Sequence, residues 1–238
     1  DLDDSFYRME KTTHRKTNDN MALDINGLSN STSTLNASII KLLNQMGYAS
    51  KSHWSKYLGG TEFSDSIFGL KYIISNRSLN SSLLTSIHQD GRYTIYKNPY
   101  AMSLAFCVDP EFRKVDFASY TNPFELANAM VTAMLGEDET VMLFKPIENV
   151  SESPTNVTHT FVTDEYSKYA PVNTSNKARL VYNFNAPSTD EIFFFYPSDY
   201  PRKVSLILNN RDWGTFFDNE TDRVTSLDTY EEGQAVSL

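Results

Sequence analysis

The sequence predicts an α+β fold in which an N-terminal mixed α/β subdomain is followed by an antiparallel, jelly-roll-like β-sandwich. Hydrophobic residues make up 40% and aromatic residues 13% of the 238 residues. This composition is typical of a globular chain rich in β-structure and not of a disordered one. Capped helical patterns occur only in the first part of the chain. After them, short strand-like runs alternate with Pro, Asn and Asp, as in antiparallel sandwiches.

These patterns predict three parts. We expect an α+β subdomain at residues 1–147, a linker at 148–155 and a β-sandwich subdomain at 156–238. The predicted linker contains Pro154 together with two serines and two glutamates.

The N-terminal segment predicts two strands separated by polar loops. Residues 6–11 mix aromatic and polar side chains as strands do, whereas residues 14–20 are polar and predict a loop. Residues 21–25 predict a second strand that ends at the Asn26-Gly27 turn. Residues 29–36 are a run of Ser, Thr and Asn that predicts a loop rich in hydroxyl groups.

A helix is predicted to follow this loop and to end at Gly47. Asn36 or Ser38 is suited to accept hydrogen bonds from the amides of its first turn, and Gly47 is suited to the left-handed conformation after its last turn. The predicted buried face recurs at helical spacing and consists of Ile39, Leu42, Leu43 and Met46.

The segment 53–75 is the centre of the predicted first subdomain. It begins as a loop, and the Gly59-Gly60 pair tolerates positive φ and predicts a tight turn. Ser64 or Asp65 is suited to cap the short helical turn that follows, and Gly69 is suited to end it. The next six residues alternate in character and predict a buried strand.

The rest of the first subdomain predicts a loop, two strands, a helix and a last strand. After a loop at residues 76–87, the strands are expected at 92–96 and 102–108, and Cys107 is expected to be buried in the second. Pro123 and Gly136 bound the predicted helix. Its predicted apolar face consists of Phe124, Ala127, Met130, Val131 and Met134, and residues 140–147 predict the last strand.

For the second subdomain, the sequence predicts strands only. They are expected at residues 157–163, 178–184, 191–196, 204–208, 223–227 and 234–238, with a hairpin return after Asn209-Asn210. Paired asparagines tolerate positive φ and suit two-residue hairpin turns.

Charge argues against nucleic-acid binding, and hydropathy argues against a membrane-spanning helix in this chain. The formal net charge is −9 and no cluster of Lys and Arg occurs, so we expect no nucleic-acid binding. No run approaches the 18 or so apolar residues that a membrane helix needs. With its acidic start and strand-like end, the chain is expected to be a domain excised from a longer protein.

No catalytic, metal or cofactor motif is present in the sequence. The four histidines are scattered, without a pair at metal-ligand spacing. There is no nucleophile elbow, phosphate-binding loop or dinucleotide motif. The sequence therefore predicts no catalytic residue, no bound metal and no cofactor in this chain.

Several segments together resemble the extracytoplasmic part of the YfhO family of bacterial polytopic membrane proteins, which are similar to GT-C glycosyltransferases. The segments are Phe6-Tyr-Arg-Met-Glu-Lys11, Asn18-Asp19-Asn20, Gly27-Leu-Ser29, Tyr57-Leu-Gly-Gly-Thr61, Asp65-Ser-Ile-Phe-Gly-Leu-Lys-Tyr72, Tyr96-Lys-Asn-Pro99 and Leu104-Ala-Phe106. The resemblance covers residues 5–145 well and the second subdomain more loosely.

The resemblance implies a domain on the extracellular face of the cell membrane, attached to the membrane-spanning remainder of its own chain. The whole protein would take a sugar from a polyprenyl-phosphate carrier and transfer it to a cell-wall polymer such as lipoteichoic acid. In GT-C enzymes the catalytic acid lies between membrane helices, so the domain would assist recognition of the teichoic-acid-like acceptor and have no activity alone.

A ligand-binding site is hypothesised in the N-terminal segment. A guanidinium binds phosphate through paired hydrogen bonds, which suits Arg8 to a phosphate of the carrier or acceptor. Amide, carboxylate and hydroxyl groups suit sugar or polyol hydroxyls. The hypothesised residues are Arg8, Asn18, Asp19, Ser29, Ser31 and Ser33. The structural alternative pairs Arg8 with Glu10 or Asp19 and leaves the serines as turn caps.

Two other classes of function remain open from the sequence. One is a non-catalytic carbohydrate-binding domain, in which Trp213 beside the predicted hairpin stacks on a sugar ring. The other is a purely structural ectodomain of a membrane protein, without a ligand.

Overall fold

The computed structural model describes residues 6–79, 81–163, 166–195, 204–216 and 223–238. Its helices are α1 (Asp19–Ala22), α2 (Ala37–Gln45), α3 (Glu62–Ile67) and α4 (Pro123–Leu135), with 3₁₀-helices at Pro110–Lys114 and Phe117–Ser119. Its strands are β1 (Arg8–Lys11), β2 (Asn30–Ser31), β3 (Tyr48–Lys51), β4 (Trp54–Gly59), β5 (Leu70–Ser75), β6 (Thr85–Asp90), β7 (Tyr93–Lys97), β8 (Ser151–Thr155), β9 (Val157–Thr163), β10 (Tyr166–Pro171), β11 (Arg179–Asn185), β12 (Asp190–Phe195), β13 (Val204–Leu208), β14 (Arg211–Phe216), β15 (Val224–Tyr230) and β16 (Ala235–Ser237). Helices combined with mostly antiparallel strands confirm the predicted α+β class.

Contacts divide the chain into two compact units. Counting described residues, the first unit holds 6–145 with 191–195 and 223–229, and the second holds 146–190, 204–216 and 230–238. Part of the segment predicted as a linker forms β8, which pairs with β11. The predicted boundaries of the two subdomains stay a prediction.

The first unit contains two sheets and a further strand pair. The larger sheet has the order β1-β5-β7-β6, with β1 parallel to β5 and the other neighbours antiparallel. A smaller antiparallel sheet has the order β2-β4-β3, and β12 pairs with β15. The strands predicted at the N-terminus, at the end of the central segment and at residues 92–96 are therefore confirmed.

The core of the first unit is formed by α2, α4 and the start of β3. Leu43, Met46, Tyr48, Leu126 and Met130 form one cluster, and each is at most 4% exposed. Burial of one large apolar side chain stabilises a fold by about 1.5–3 kcal/mol. These five side chains are therefore a major source of the unit's stability.

Capping residues place α2 and α4 as predicted. Asn36 Oδ1 accepts a hydrogen bond from the Ser38 N–H at 2.9 Å, and Gly47 follows the helix with φ +88°. Pro123 opens α4, and Gly136 ends it with φ +69°. Both helices were predictable because caps act within a few residues of the helix end.

The buried faces of the two helices differ from the predicted ones. Ile39 is 51% exposed, and its neighbour Ile40 is buried instead. In α4 the predicted face omits Leu126, which is fully buried. Adjacent helical residues point about 100° apart, so periodicity alone leaves the face uncertain by one position until its packing partners are known.

The turn at Gly59 and Gly60 is confirmed, with φ +92° and +79°. The predicted cap of α3 is wrong, because Thr61 and not Ser64 or Asp65 is the N-cap. The Ser64 N–H donates to Thr61 Oγ1 at 3.3 Å, and the Thr61 N–H donates to Ser64 Oγ at 2.8 Å. This reciprocal pair satisfies two amides at the helix start.

Three segments predicted as strands adopt other structures. In place of the strand at 21–25, α1 ends in a turn in which the Leu23 N–H donates to Asp19 O at 3.1 Å. Residues 102–108 and 140–147 have no regular secondary structure. Cys107 is consequently exposed and not buried. Conversely, the residues before Gly59 that the sequence predicts as a loop form most of β4.

The irregular segment 140–147 is held by a side chain. Asn128 on α4 donates through Nδ2 to Phe144 O and accepts from the Phe144 N–H, both at 2.8 Å. The side-chain amide of Asn128 thus makes the two backbone hydrogen bonds with Phe144 that a neighbouring strand would make in a sheet. The sequence pattern of the segment contains no sign of this contact.

The second unit is built of antiparallel strands. β11 lies between β8 and β16, β9 pairs with β10, and β13 pairs with β14. Asn209 and Asn210 form the turn between β13 and β14 with φ +48° and +64°, which confirms the predicted hairpin. The end of the strand predicted at 191–196 lies outside the described residues.

Candidate functional site

Glu10 is a fully buried acidic residue at the centre of the N-terminal segment. Its Oε1 accepts hydrogen bonds from the Leu28 and Ser29 N–H groups, both at 2.6 Å, and from Asn20 Nδ2 at 2.8 Å. Three donors on one carboxylate oxygen hold the loop before β2 against β1. Such charge-assisted bonds are about twice as strong as neutral ones.

The other side of Glu10 faces a histidine. Glu10 Oε2 accepts from the Lys11 N–H at 3.2 Å and lies 3.9 Å from His14 Nε2. Burial lowers the pKa of His14, and the nearby Glu10 offsets this only in part. A Cβ on Gly27 would overlap Asn20 Nδ2 and lie 2.5 Å from Glu10 Oε1, so a larger residue here would displace the Asn20–Glu10 pair.

A second buried carboxyl group lies on α3. Asp65 accepts hydrogen bonds from the Tyr48 hydroxyl at 2.5 Å and from the Tyr57 hydroxyl at 2.8 Å. Burial raises the pKa of Asp65 to about 7, although both hydroxyls favour the charged form. Asp65 therefore changes its charge near neutral pH.

The structure brings together two of the hypothesised ligand residues. Asn18 Nδ2 donates to Ser31 O at 2.9 Å, and the Ser31 N–H donates to Asn18 Oδ1 at 2.6 Å. Next to them, Asp19 accepts from the Arg15 N–H at 2.7 Å and the Lys16 N–H at 3.1 Å. These backbone bonds lower the pKa of Asp19 and order the 15–19 turn.

The remaining hypothesised serines differ in environment. Ser29 is buried, and its Oγ accepts a hydrogen bond from the Tyr57 N–H at 2.8 Å. Ser33 lies in an exposed turn after β2. On either side of Ser33, the hydroxyl groups of Thr32 and Thr34 share a hydrogen bond of 3.2 Å. We call Asn18, Ser31, Thr32, Ser33 and Thr34 the polar patch.

Arg8 and Trp213 have other neighbours. Arg8 Nη1 donates to Phe68 O at 2.7 Å, and its guanidinium lies 5.6 Å from the centre of the Phe6 ring. Partial burial lowers the pKa of Arg8. The structural alternative to ligand binding predicted that Arg8 pairs with Glu10 or Asp19, and the contacts observed are different ones. Trp213 lies on β14 in the second unit and is 36% exposed.

Comparison with known proteins places the chain in a family. A family model described as bacterial membrane protein YfhO matches residues 1–238. The chain belongs to the YfhO family. Searches of curated proteins and of solved structures found no match. Within the described part of this YfhO chain, no helix is long and apolar enough to cross a membrane.

Sequence reasoning missed four basic or ionisable residues beside the polar patch of this YfhO chain. Arg15 and Lys16 are exposed in the turn that Asp19 orders. Lys51, the last residue of β3, and His53, in the β3–β4 turn, are both exposed. His53 O accepts from the Thr32 N–H at 3.0 Å. The adjacent Arg15-Lys16 pair was a visible signal in the sequence. The position of this pair beside Ser31 depends on the hydrogen bonds between Asn18 and Ser31. The sequence contains no signal for those bonds.

Among the residues that the structure describes in this YfhO chain, no group of three or more His, Cys, Asp or Glu side chains is placed to hold a metal ion. What the polar patch and its basic neighbours offer is recognition chemistry. Amides and hydroxyls both donate and accept hydrogen bonds to polyol groups, and Arg and Lys bind phosphate.

Proposed function

We propose that this chain is the acceptor-recognition domain of a membrane glycosyltransferase. The whole protein takes a sugar from a polyprenyl-phosphate carrier on the extracellular face and glycosylates a teichoic-acid-like cell-wall polymer. The bond-forming chemistry lies in the membrane-spanning remainder of the chain. Membership of a bacterial membrane protein family supports the membrane setting, and the polar patch supports the recognition role.

The observation that carries the proposal is the polar patch with cations at its edge. A polyol-phosphate polymer alternates hydroxyl and phosphate groups. Asn18 and the exposed hydroxyls suit the first, and Arg15 and Lys16 suit the second. Because the chain has a net charge of −9, binding of a polyanion depends on such local cations.

In this proposal the main phosphate contact is made by Arg15 and Lys16 and not by Arg8. The Arg8 guanidinium is partly buried and already donates to Phe68 O. By contrast, Asp19 accepts hydrogen bonds from the backbone N–H groups of Arg15 and Lys16. The order of the 15–19 turn therefore does not depend on the side chains of these two residues. In the proposal, Asp19 orders the 15–19 turn, Ser29 accepts from the Tyr57 N–H on β4, and Arg8 is a secondary contact.

The double variant Arg15→Ala/Lys16→Ala tests the proposal in the full-length membrane protein. We expect transfer of sugar to the polymer to fall roughly three- to tenfold, because each exposed charge contact is worth up to about 1 kcal/mol. The amount of protein in the membrane should not change, since alanine keeps both backbone N–H groups that Asp19 accepts.

The matched control is Lys177→Ala/Arg179→Ala, which removes two exposed positive charges from the second unit. It should retain wild-type transfer. Equal transfer by both double variants, at equal protein level, would contradict the role of the patch and favour a purely structural domain.

A further inference from the structure

The second unit contains a cleft that the proposed function does not use. It lies on the sheet formed by β8, β11 and β16 and has a volume of about 380 Å³. This volume falls in the range of small-molecule sites. Its polar and small lining residues are Asn149, Asn183, Asn185, Asn209, Ala235 and Ser237. The apolar Phe184 and Val236 also line it.

The strand register explains why there is space at this place. Asn183 lies opposite Ser237, and Asn185 lies opposite Ala235. Alternate residues of a strand point to the same face, so two amides and two small side chains share one face of the sheet. The intervening Val236 is 2% exposed and also lines the cleft. The small residues of β16 leave room above the strand pair.

One wall of the cleft is fixed by hydrogen bonds. The Asn209 N–H donates to Ser237 O at 2.8 Å, and the Ser237 N–H donates to Asn209 Oδ1 at 2.9 Å. This pair ties the β13–β14 hairpin to β16. A rigid wall reduces the entropy lost when a ligand binds.

The unused hydrogen-bonding groups point to the class of ligand. Within the described residues, the side-chain amides of Asn149, Asn183 and Asn185 make no hydrogen bond. Each amide offers a carbonyl oxygen and an NH₂ group, which match the acceptor and donor of a pair of hydroxyls. None of the eight lining residues is charged. We propose that this cleft binds a neutral sugar residue.

This inference is independent of the polar patch, because the cleft belongs to the second unit and its chemistry is uncharged. Trp213, the aromatic residue that the sequence suggested for sugar binding, is not among the residues that line it. The hydrogen bonds proposed for the sugar therefore come from the amides and from Ser237, and the aromatic side chain at the cleft is Phe184 and not Trp213.

An NMR titration of the 238-residue chain with galactose, glucose and N-acetylglucosamine tests the cleft through the asparagine side-chain NH₂ resonances. At least one sugar should shift the resonances of Asn183 and Asn185. Asn183→Ala and Asn185→Ala should each weaken that binding at least about fivefold, the value of one neutral hydrogen bond. These positions are exposed, so both variants should fold.

Asn176→Ala is the matched control, since Asn176 is exposed in the same unit and does not line the cleft. It should bind the sugar as the wild type does. Absence of shifts at Asn183 and Asn185 with all three sugars, or binding that survives both cleft substitutions, would overturn the proposal. The result is separate from that of the Arg15 and Lys16 experiment, which measures transfer to a charged polymer.

Discussion

Replacing Glu10 by alanine is expected to destabilise the first unit by about 3–5 kcal/mol. The substitution removes a carboxylate that accepts from the Leu28 and Ser29 N–H groups and from Asn20. Because Glu10 is fully buried, its loss leaves the Leu28 and Ser29 N–H groups without a partner, and Asn20 Nδ2 keeps only its 3.4 Å bond to Ser29 O. Each unsatisfied buried donor costs about 1–3 kcal/mol.

Hydrogen exchange measures this prediction most locally. In Glu10→Ala the amides of Leu28 and Ser29 should exchange at least roughly a hundredfold faster, which corresponds to about 3 kcal/mol. Glu139→Ala is the control, because it removes an exposed glutamate from the same unit and should change stability by no more than about 0.5 kcal/mol. Unchanged exchange at Leu28 and Ser29 in Glu10→Ala would show that Glu10 does not hold the loop.

Asp65 is expected to make the first unit less stable as the pH rises from about 4 to 7. Its pKa lies at about 7 in the folded chain against 3.8 for an ordinary aspartate. In this interval the folded state keeps a proton that the unfolded state has released. The free energy of unfolding therefore falls with rising pH, by up to about 1.4 kcal/mol per pH unit and about 4 kcal/mol in all.

Two substitutions at this site should change the pH dependence in opposite directions. Asp65→Asn has no charge to lose and should remove this part of the slope. Tyr57→Phe deletes a hydroxyl that favours the carboxylate, which raises the pKa of Asp65 further and extends the fall to higher pH. Urea denaturation between pH 4 and 9 measures both effects. A slope in Asp65→Asn equal to that of the wild type would refute the assignment.

Features determined by neighbouring residues were predictable from the sequence. The caps of α2 and α4, the Gly59-Gly60 turn and the Asn209-Asn210 hairpin each depend on a few adjacent residues, and the structure confirms them. The α+β class followed from the distribution of these signals along the chain.

Features determined by distant residues were not predictable. Glu10 receives hydrogen bonds from residues 18 and 19 positions away, and Asn128 binds Phe144 across 16 positions. The first contact creates the buried centre of the candidate site. The second turns a predicted strand into an irregular segment. Periodicity contains no information about such contacts.

The candidate site was predicted in part. Asn18 and Ser31 do lie together, and Ser33 is exposed nearby. Whether these residues bind a ligand stays a prediction. The role of Ser29 as an acceptor for the Tyr57 N–H depends on the pairing of β2 with β4, which the sequence assigned to two loops.

The most direct test of the recognition role is an NMR titration of the 238-residue chain with a polyglycerol-phosphate fragment. The account predicts backbone amide shifts confined to residues 15–19, 31–34 and 51–53, which weaken as salt is added because phosphate contacts are screened. Absence of shifts in these segments, at low salt and with the fold intact, would contradict the proposal that this domain recognises the acceptor.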